Sequence, residues 1–206
     1  DGSGQQLVLN LQRLNQVISV DAANLSMVVQ SGCLLSQVQA VAQAEGLLFP
    51  LSLASEGSCT IGGNLASNAG GTQVLRYGTA RALCLGLQVV TPQGQVVDGL
   101  TALRKDNTGY DLRDLYIGSE GTLGIITAAS LRLHPQPRGV ATALLACEHL
   151  SQAVALLQMA HHHLDAGLTA FEVMARGPLA LVQQHQAPAA AALSPLLDPR
   201  GAPPQW

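Results

Sequence analysis

The chain has 206 residues, 48% hydrophobic, 11% charged and 3% aromatic, with ten cations against thirteen acidic residues and a net charge of −3. That composition is globular and apolar, far from the disordered range, and it carries no basic cluster of the kind nucleic-acid binding requires. Cys33, Cys59, Cys84 and Cys147 are scattered with no C-x-x-C pair, which argues against a zinc site or a disulfide framework and suits thiols in a reducing, cytoplasmic setting; no apolar run approaches the length of a membrane span.

In chain order, Asp1–Gly4 reads as a polar loop. Leu7-Val8-Leu9-Asn10-Leu11 alternates as a strand, and Val17–Val20 and Ser26–Gln30 read as two more, joined by a turn over Asp21–Asn24. Leu34–Ala44 carries Leu34, Leu35, Val38, Val41 and Ala42 at helical spacing, which predicts a helix stopped by Gly46. Leu47–Pro50 is a short extended entry into a Gly-rich stretch. Beyond it, Leu83–Val90 predicts a strand, Thr91–Gln95 a turn, and Val96-Val97-Asp98 the returning arm of a hairpin. Asp111–Tyr116 reads as a short helix, and Gly124–Leu133 as a strand that ends at His134-Pro135, with Pro135 and Pro137 marking a linker. Ala141–Cys147 reads as a strand, Ser151–His163 as an amphipathic helix, Thr169–Met174 as a strand and Pro178–His185 as a helical turn or two. From Gln186 onward a Pro- and Ala-rich sequence without periodicity predicts a poorly ordered tail. Strands cluster with a few helices between them, without strict βαβ alternation. The expected class is α+β, a mixed or antiparallel sheet with helices packed on it.

The densest signal is Gly57–Gly78, G-S-C-T-I-G-G-N-L-A-S-N-A-G-G-T-Q-V-L-R-Y-G, with six glycines in 22 residues, no acid and one cation, Arg76. Ile61-Gly62-Gly63-Asn64-Leu65-Ala66 predicts a loop entering a short helix, whose free N–H groups and positive dipole end suit a phosphate. Gly70-Gly71 is placed to end that helix. A lone Gly doublet usually marks a turn. Two doublets flanking a small-residue helix with Asn at both ends point instead to a ligand. Residues 104–127, R-K-D-N-T-G-Y-D-L-R-D-L-Y-I-G-S-E-G-T-L-G-I-I-T, hold a second set, with Gly118, Gly121 and Gly124 three apart. This is not the G-x-G-x-x-G of a dinucleotide fold. The chain also has no G-x-x-x-x-G-K-[ST] phosphate loop and no G-x-S-x-G hydrolase elbow.

Taken together, G-S-C-T-I-G-G-N-L-A-S-N-A-G-G, L-R-Y-G, K-D-N-T-G-Y-D-L and I-G-S-E-G-T-L-G-I-I-T, in that order, resemble the FAD-binding (PCMH-type) domain of the FAD-linked oxidases typified by vanillyl-alcohol oxidase. Within that family they are most similar to the branch of D-2-hydroxyglutarate, D-lactate and glycolate dehydrogenases, over roughly residues 5–185. The resemblance implies that residues 1–137 form the later part of the FAD-binding domain and 138–187 the start of a substrate or cap domain, with 188–206 a tail. It implies FAD as cofactor. Its implied contacts are Pro50, Gly57, Thr60, Ile61, Gly62, Gly63, Asn64, Asn68, Gly70, Gly71, Tyr77, Gly78, Glu120, Gly121, Gly124, Ile125 and Ile126. Gly62 and Gly63 would face the pyrophosphate. Asn68, Gly70 and Gly71 would lie toward the flavin ring, with Arg76, Tyr77 and Gly78 just beyond. Glu120 to Ile126 would run along the flavin and the adenosine.

The activity implied is oxidation of a small D-2-hydroxy acid to the 2-oxo acid by hydride transfer to flavin, with an electron-transfer flavoprotein or a quinone as second acceptor. A non-catalytic FAD-carrying subunit stays open, as does a non-redox or reductase member of the fold, such as an alkylglycerone-phosphate synthase or an enolpyruvyl reductase. In the family an earlier Gly-rich loop precedes the L-V-L-N-L strand, and a downstream H-x-x-x-x-x-x-H pair holds a divalent metal. Neither lies in these 206 residues. The expectation for the chain by itself is therefore weak FAD binding or none, and no turnover, with no catalytic residue and no metal ligand assigned.

Two clusters invite chemistry and have duller readings. Lys105, Asp106, Asp111, Arg113 and Asp114 could be an acid–base group, but an ion-paired loop beside a helix capped at Asp111 is the commoner arrangement. Tyr110 is expected to pack and hydrogen-bond. His161-His162-His163 cannot converge on one ion, because successive helical residues point about 100° apart. They read as a solvated helix end.

Overall fold

A computed structural model describes residues 2, 4, 5 and 7–185. The chain divides into two compact units, the first ending at Arg138 and the second starting at Gly139. In the first, the elements are β1 (Val17–Asp21), β2 (Ser26–Gln30), α1 (Leu35–Ala44), β3 (Leu47–Leu48), α2 (Ile61–Ala66), α3 (Val74–Tyr77), β4 (Cys84–Val90), β5 (Val96–Gly99), α4 (Arg113–Tyr116), β6 (Ile125–Arg132) and β7 (His134–Pro135). The described part of the second holds α5 (Leu150–Leu164), a 3-10 turn over Asp165–Gly167 and α6 (Arg176–His185).

The main sheet runs β1-β2-β6-β4-β5 with every neighbouring pair antiparallel, and β3 pairs with β7 in a small second ribbon. β6 comes last in sequence of the five strands of the main sheet yet lies in its middle, so both its faces need cover. Accordingly Ile126, Ala128, Ala129, Ser130 and Leu131 are all buried, as are Met27 and Val29 of β2 and Leu87 and Val89 of β4. Helix α1 sends Leu35, Val38 and Ala42 into this core, and left-handed Gly46 follows it. Helix α2 lies against β6 and contributes Ile61 and Leu65. With few aromatics available, the core is built from aliphatic side chains and from glycines that let backbone approach backbone.

The β1–β2 turn is tied by Asn24 N–H donating to Asp21 Oδ1 at 3.0 Å. The β4–β5 hairpin closes where Thr91 N–H donates to the Gln95 carbonyl at 2.9 Å, with Gly94 in the left-handed region at φ 79°. Gly86 marks a register shift in β4, where a Cβ would run into Gly99 O and lie 2.5 Å from Thr101 N. A glycine inside a strand often marks such a bulge.

Several expected elements are corrected. Leu7–Leu11 is not a strand. Leu7, Val8 and Leu9 are exposed, and the segment is held instead at its end, where Leu14 N–H donates to Leu11 O and Gly32 N–H to Leu14 O. Ala141–Cys147 and Thr169–Met174 are irregular too. A strand exists through its ladder, and among the described residues neither segment has a partner. Helix α3 was not expected, and the predicted α4 is shorter than Asp111–Tyr116. Helix α5 starts one residue earlier than predicted, with Gln152 Oε1 accepting from the Glu148 N–H at 2.7 Å. The anticipated tail from Gln186 lies outside the described residues. No described helix is long and apolar enough to cross a membrane.

On β7, His134 packs its ring edge-on to Tyr77 with centroids 4.7 Å apart, and its Nε2 is buried with no hydrogen-bond partner. Burial, with Arg132, Arg104 and Arg76 adding positive charge, pushes its pKa down to about 4. The unfolded chain therefore takes up this proton before the folded one does. Stability is lost as pH falls from about 6.5 towards 4, and the loss levels off below that. Thermal midpoints of the wild type and of His134→Phe, compared across that window, should diverge as the wild type drops more steeply. Gly86→Ala should lower stability by roughly 1–3 kcal/mol, because the bulge has no room for a methyl group, which is read as a fall in thermal midpoint of roughly 3–10 °C.

Candidate functional site

The Gly-rich stretch folds as expected into a short helix, but its N-terminus is not free. Thr60 caps α2, its Oγ1 accepting from Gly63 N–H at 3.3 Å. Ile61 N–H donates to Cys33 O at 2.9 Å, Gly62 N–H to Ser31 O at 2.7 Å and Asn64 N–H to Thr60 O at 2.9 Å. The donors expected to hold a pyrophosphate are therefore used within the chain. Gly62 is glycine for an internal reason, since a Cβ there would lie 2.6 Å from the Cβ of Ser31. Asn64 is buried and directs its amide to Cys59 Sγ at 3.5 Å. Gly63, on the opposite side, is exposed, and a Cβ there would meet only Thr60 Oγ1, at 3.2 Å.

The helix also ends earlier than the second doublet. Ser67 follows its last residue, and Asn68 turns left-handed at φ 48°. Asn tolerates that region better than most residues, so Gly70-Gly71 is not the stop. Gly71 instead lies so close to Ser52 that a Cβ would collide with its carbonyl, and Thr72 N–H donates to that same oxygen at 3.2 Å. Among the described residues the N–H groups of Gly70 and Gly71 have no acceptor. Gly78 closes α3 at φ 77°, where a Cβ would lie 2.5 Å from the Ala82 methyl. Tyr77 belongs to the core, with the Arg76 guanidinium 5.0 Å from its ring centroid.

The second stretch meets the first. Gly118 N–H donates to Leu65 O at 3.0 Å and Glu120 N–H to Ala66 O at 2.9 Å, so the 117–121 turn is docked on the C-terminal carbonyls of α2. The turn needs three left-handed residues, Gly118, Glu120 and Gly121, at φ 82°, 52° and 77°. Gly121 is exposed and its N–H has no acceptor among the described residues. Gly124 is closed in, since a Cβ would lie 2.7 Å from Val89 Cγ1 and 3.0 Å from Val90 O. Ile125 is half-buried and Ile126 is in the core.

The seventeen expected contacts thus fall into two sets. Pro50, Ile61, Gly62, Asn64, Tyr77, Gly124 and Ile126 are buried and form the support. Gly57, Thr60, Gly63, Asn68, Gly70, Gly71, Gly78, Glu120, Gly121 and Ile125 retain exposed surface. The residue that sequence reasoning overlooked is Arg81. Its backbone N–H donates to Asn68 Oδ1 at 3.1 Å, while its guanidinium pairs with Asp114 at 2.9 Å and reaches the Ile117 carbonyl at 2.6 Å. The one available signal was a cation placed soon after L-R-Y-G in an otherwise uncharged run.

The charged segment is an ion-paired loop. Arg113 holds Asp111 at 2.5 Å and the Cys84 carbonyl at 2.5 Å, and Asp106 accepts from Thr108. Hydrogen bonding to Arg113 pulls the Asp111 carboxyl below its usual range. Asp111 does not cap α4, whose N-cap is Leu112 with no side-chain bond, and Tyr110 is 94% exposed rather than packed. This segment and β4–β5 enclose an open cavity of about 330 Å³ with an apolar floor of Leu87, Val89 and Val97. Burial pushes the Cys84 thiol up to about 12, which makes it an inert core group. His161, His162 and His163 are exposed in the last turn of α5.

Residues 1–99 match a family described as an FAD binding domain. Over 180 residues, 87% of the chain, it is 44% identical to a mitochondrial D-2-hydroxyglutarate dehydrogenase of Bos taurus and 43% identical to that of Rattus norvegicus. It spans about a third of their length, 33% and 34%. Among solved structures, an alkyldihydroxyacetonephosphate synthase superposes with a TM-score of 0.55 at 28% identity, over 62% of this chain and 23% of that one. Sequence relatives, domain match and fold agree: the first unit carries an FAD-binding domain of the PCMH type, similar to that of the FAD-linked oxidases.

Proposed function

We propose that the chain is the cofactor-holding portion of an FAD-dependent dehydrogenase acting on a D-2-hydroxy acid, with D-2-hydroxyglutarate the first candidate and D-lactate and glycolate the alternatives. The observation that carries this reading is the docking of the 117–121 turn on the end of α2, through Gly118 to Leu65 and Glu120 to Ala66. It joins two exposed, side-chain-poor surfaces whose N–H groups at Gly70, Gly71 and Gly121 have no acceptor among the described residues. Unpaired backbone donors beside glycines fit an anionic, flat dinucleotide, which needs close backbone approach and charge-assisted hydrogen bonds.

FAD, when bound, supplies the hydride acceptor. The residues of this chain hold and orient it. Gly63 and Gly70 leave room, Gly70, Gly71 and Gly121 donate, and Glu120 offers an acceptor to hydroxyl or amine groups. No residue here is assigned as the base. The first unit is read as the later part of the FAD domain and the second as the start of the substrate domain. The downstream electron acceptor is read as an electron-transfer flavoprotein or a quinone. Four free cysteines, three of them buried, suit a reducing compartment such as the cytoplasm. The identity to D-2-hydroxyglutarate dehydrogenases exceeds that to the alkyldihydroxyacetonephosphate synthase, which favours redox chemistry over the non-redox reading.

Titration of the purified chain with FAD, followed by flavin fluorescence, should show saturable but weak binding. A chimera with residues 5–185 in place of the matching segment of the bovine relative should load flavin and reduce an artificial acceptor with D-2-hydroxyglutarate. A flavin-loaded chimera inert towards D-2-hydroxyglutarate, D-lactate and glycolate would overturn the dehydrogenase reading and leave the FAD-carrier and the non-redox or reductase readings. The two neighbouring glycines separate structure from binding. Gly62→Ala should lose about 1–3 kcal/mol of stability through its clash with Ser31. Gly63→Val should fold, at a helix-propensity cost near zero relative to Gly, yet weaken FAD by about tenfold or more by blocking backbone approach.

A further inference from the structure

Arg81 stands where three segments of the first unit meet. Its own N–H donates to Asn68 Oδ1 at 3.1 Å, fixing the turn that follows α2. Its Nη1 takes both the carbonyl and the carboxylate of Asp114, at 2.8 and 2.9 Å, and its Nη2 donates to the Ile117 carbonyl at 2.6 Å. The residues on either side of this linkage, Asn68 and Gly118, are both left-handed, and a Cβ on Gly118 would lie 3.3 Å from Nη2 and 3.5 Å from Asn68 Cβ. Helix α4, which leads into the second turn, has no fully buried residue, and its Leu115 and its N-cap Leu112 are exposed. Its apolar anchors are half-buried Tyr116 and the buried Ile117 that follows it, and hydrogen bonds complete its placement.

The consequence falls on the unpaired donors. Gly70 and Gly71 follow Asn68 closely, and Gly121 follows Gly118. Where Gly121 N–H lies relative to Gly70 and Gly71 N–H thus depends on the Asn68–Arg81–Ile117 linkage, together with the two backbone bonds from Gly118 and Glu120. A guanidinium is a planar fork with fixed donor directions, so it sets an angle as well as a distance. A lysine ammonium could satisfy one of these acceptors without fixing the others. The Arg81–Asp114 pair is partly exposed, and its charge attraction by itself contributes little.

We propose that Arg81 is a positioning residue for the cofactor: it locks the 117–121 turn against the Asn68 turn so that both sets of backbone donors address one ligand. The proposal rests on the FAD reading above and goes beyond it, because Arg81 does not itself contact the ligand. The test uses the nitrogen-15-labelled chain, whose glycine amides report separately, titrated with FAD. In the wild type, Gly70, Gly71 and Gly121 should shift along one binding curve. Arg81→Lys should keep a dispersed spectrum and weaken FAD by about tenfold, the effect of losing one charge-assisted bond. Its Gly121 shift should be lost while those of Gly70 and Gly71 persist. If Arg81→Lys does not fold, Asp114→Asn, which removes one carboxylate partner, should show the same uncoupling in smaller measure. A variant with a lowered thermal midpoint whose three amides still shift together at wild-type affinity would overturn the proposal, leaving Arg81 a structural residue. Absence of any FAD-induced shift in the wild type would overturn the cofactor reading itself, and this inference with it.

Discussion

Close approach of backbone to backbone is the constraint on which this structure depends. The chain has little aromatic bulk, so its elements cannot be held apart by large side chains and are instead laid directly on one another at glycines. Gly62 seats α2 on the end of β2 at Ser31, Gly71 seats the following loop on Ser52, and Gly124 passes beneath β4 at Val89 and Val90. Gly32 does the same under Leu11 and Leu14. Only because these contacts are tight do the last carbonyls of α2 come within hydrogen-bonding reach of the 117–121 turn. Each such position is intolerant of even a methyl group, since overpacking displaces backbone rather than a flexible side chain.

That constraint also explains what could be read from the residues and what could not. The hairpin at Thr91–Gln95, the helix over Leu35–Ala44 and the central strand after Gly124 are local patterns, and each formed where periodicity and turn chemistry put it. Leu7–Leu11, Ala141–Cys147 and Thr169–Met174 have equally good strand composition. A strand, however, is decided by a partner elsewhere in the chain, and composition does not report one. The glycines were legible as a group but not by role. Nothing local distinguishes Gly62, closed against Ser31, from Gly63, open to solvent, because the difference arises from β2, which lies far away in sequence. The stop after α2 was placed at the wrong residue for a similar reason, as Asn68 takes the left-handed conformation with its side chain engaged by Arg81.

Charge follows the same economy. Among the described residues, Arg81–Asp114 and Arg113–Asp111 are the side-chain ion pairs, both partly exposed, and both arginines also donate to backbone carbonyls. Their contribution is directional hydrogen bonding to groups left open at turns and strand ends, more than charge attraction. His134 is the opposite case. A titratable ring packs edge-on against Tyr77, and burial, with positive neighbours adding to it, keeps it neutral. A charged loop in the sequence became scaffolding, and a half-buried histidine at a strand start became a packing partner for the core.

The docked turns also order events in time. Residues 61–71 leave the ribosome well before residues 117–121, and between them lie α3, β4, β5 and α4. The surface made by the first Gly-rich stretch is therefore synthesised as half of the proposed site. It is completed only when the later turn reaches the carbonyls of Leu65 and Ala66, and β6, which covers the buried side of α2, is made later still. Long-range pairing of this kind is slow relative to local helix and hairpin formation. A nascent chain spends that interval with α2 unsupported and its apolar residues Ile61 and Leu65 uncovered, a window in which chaperone capture competes with closure of the sheet.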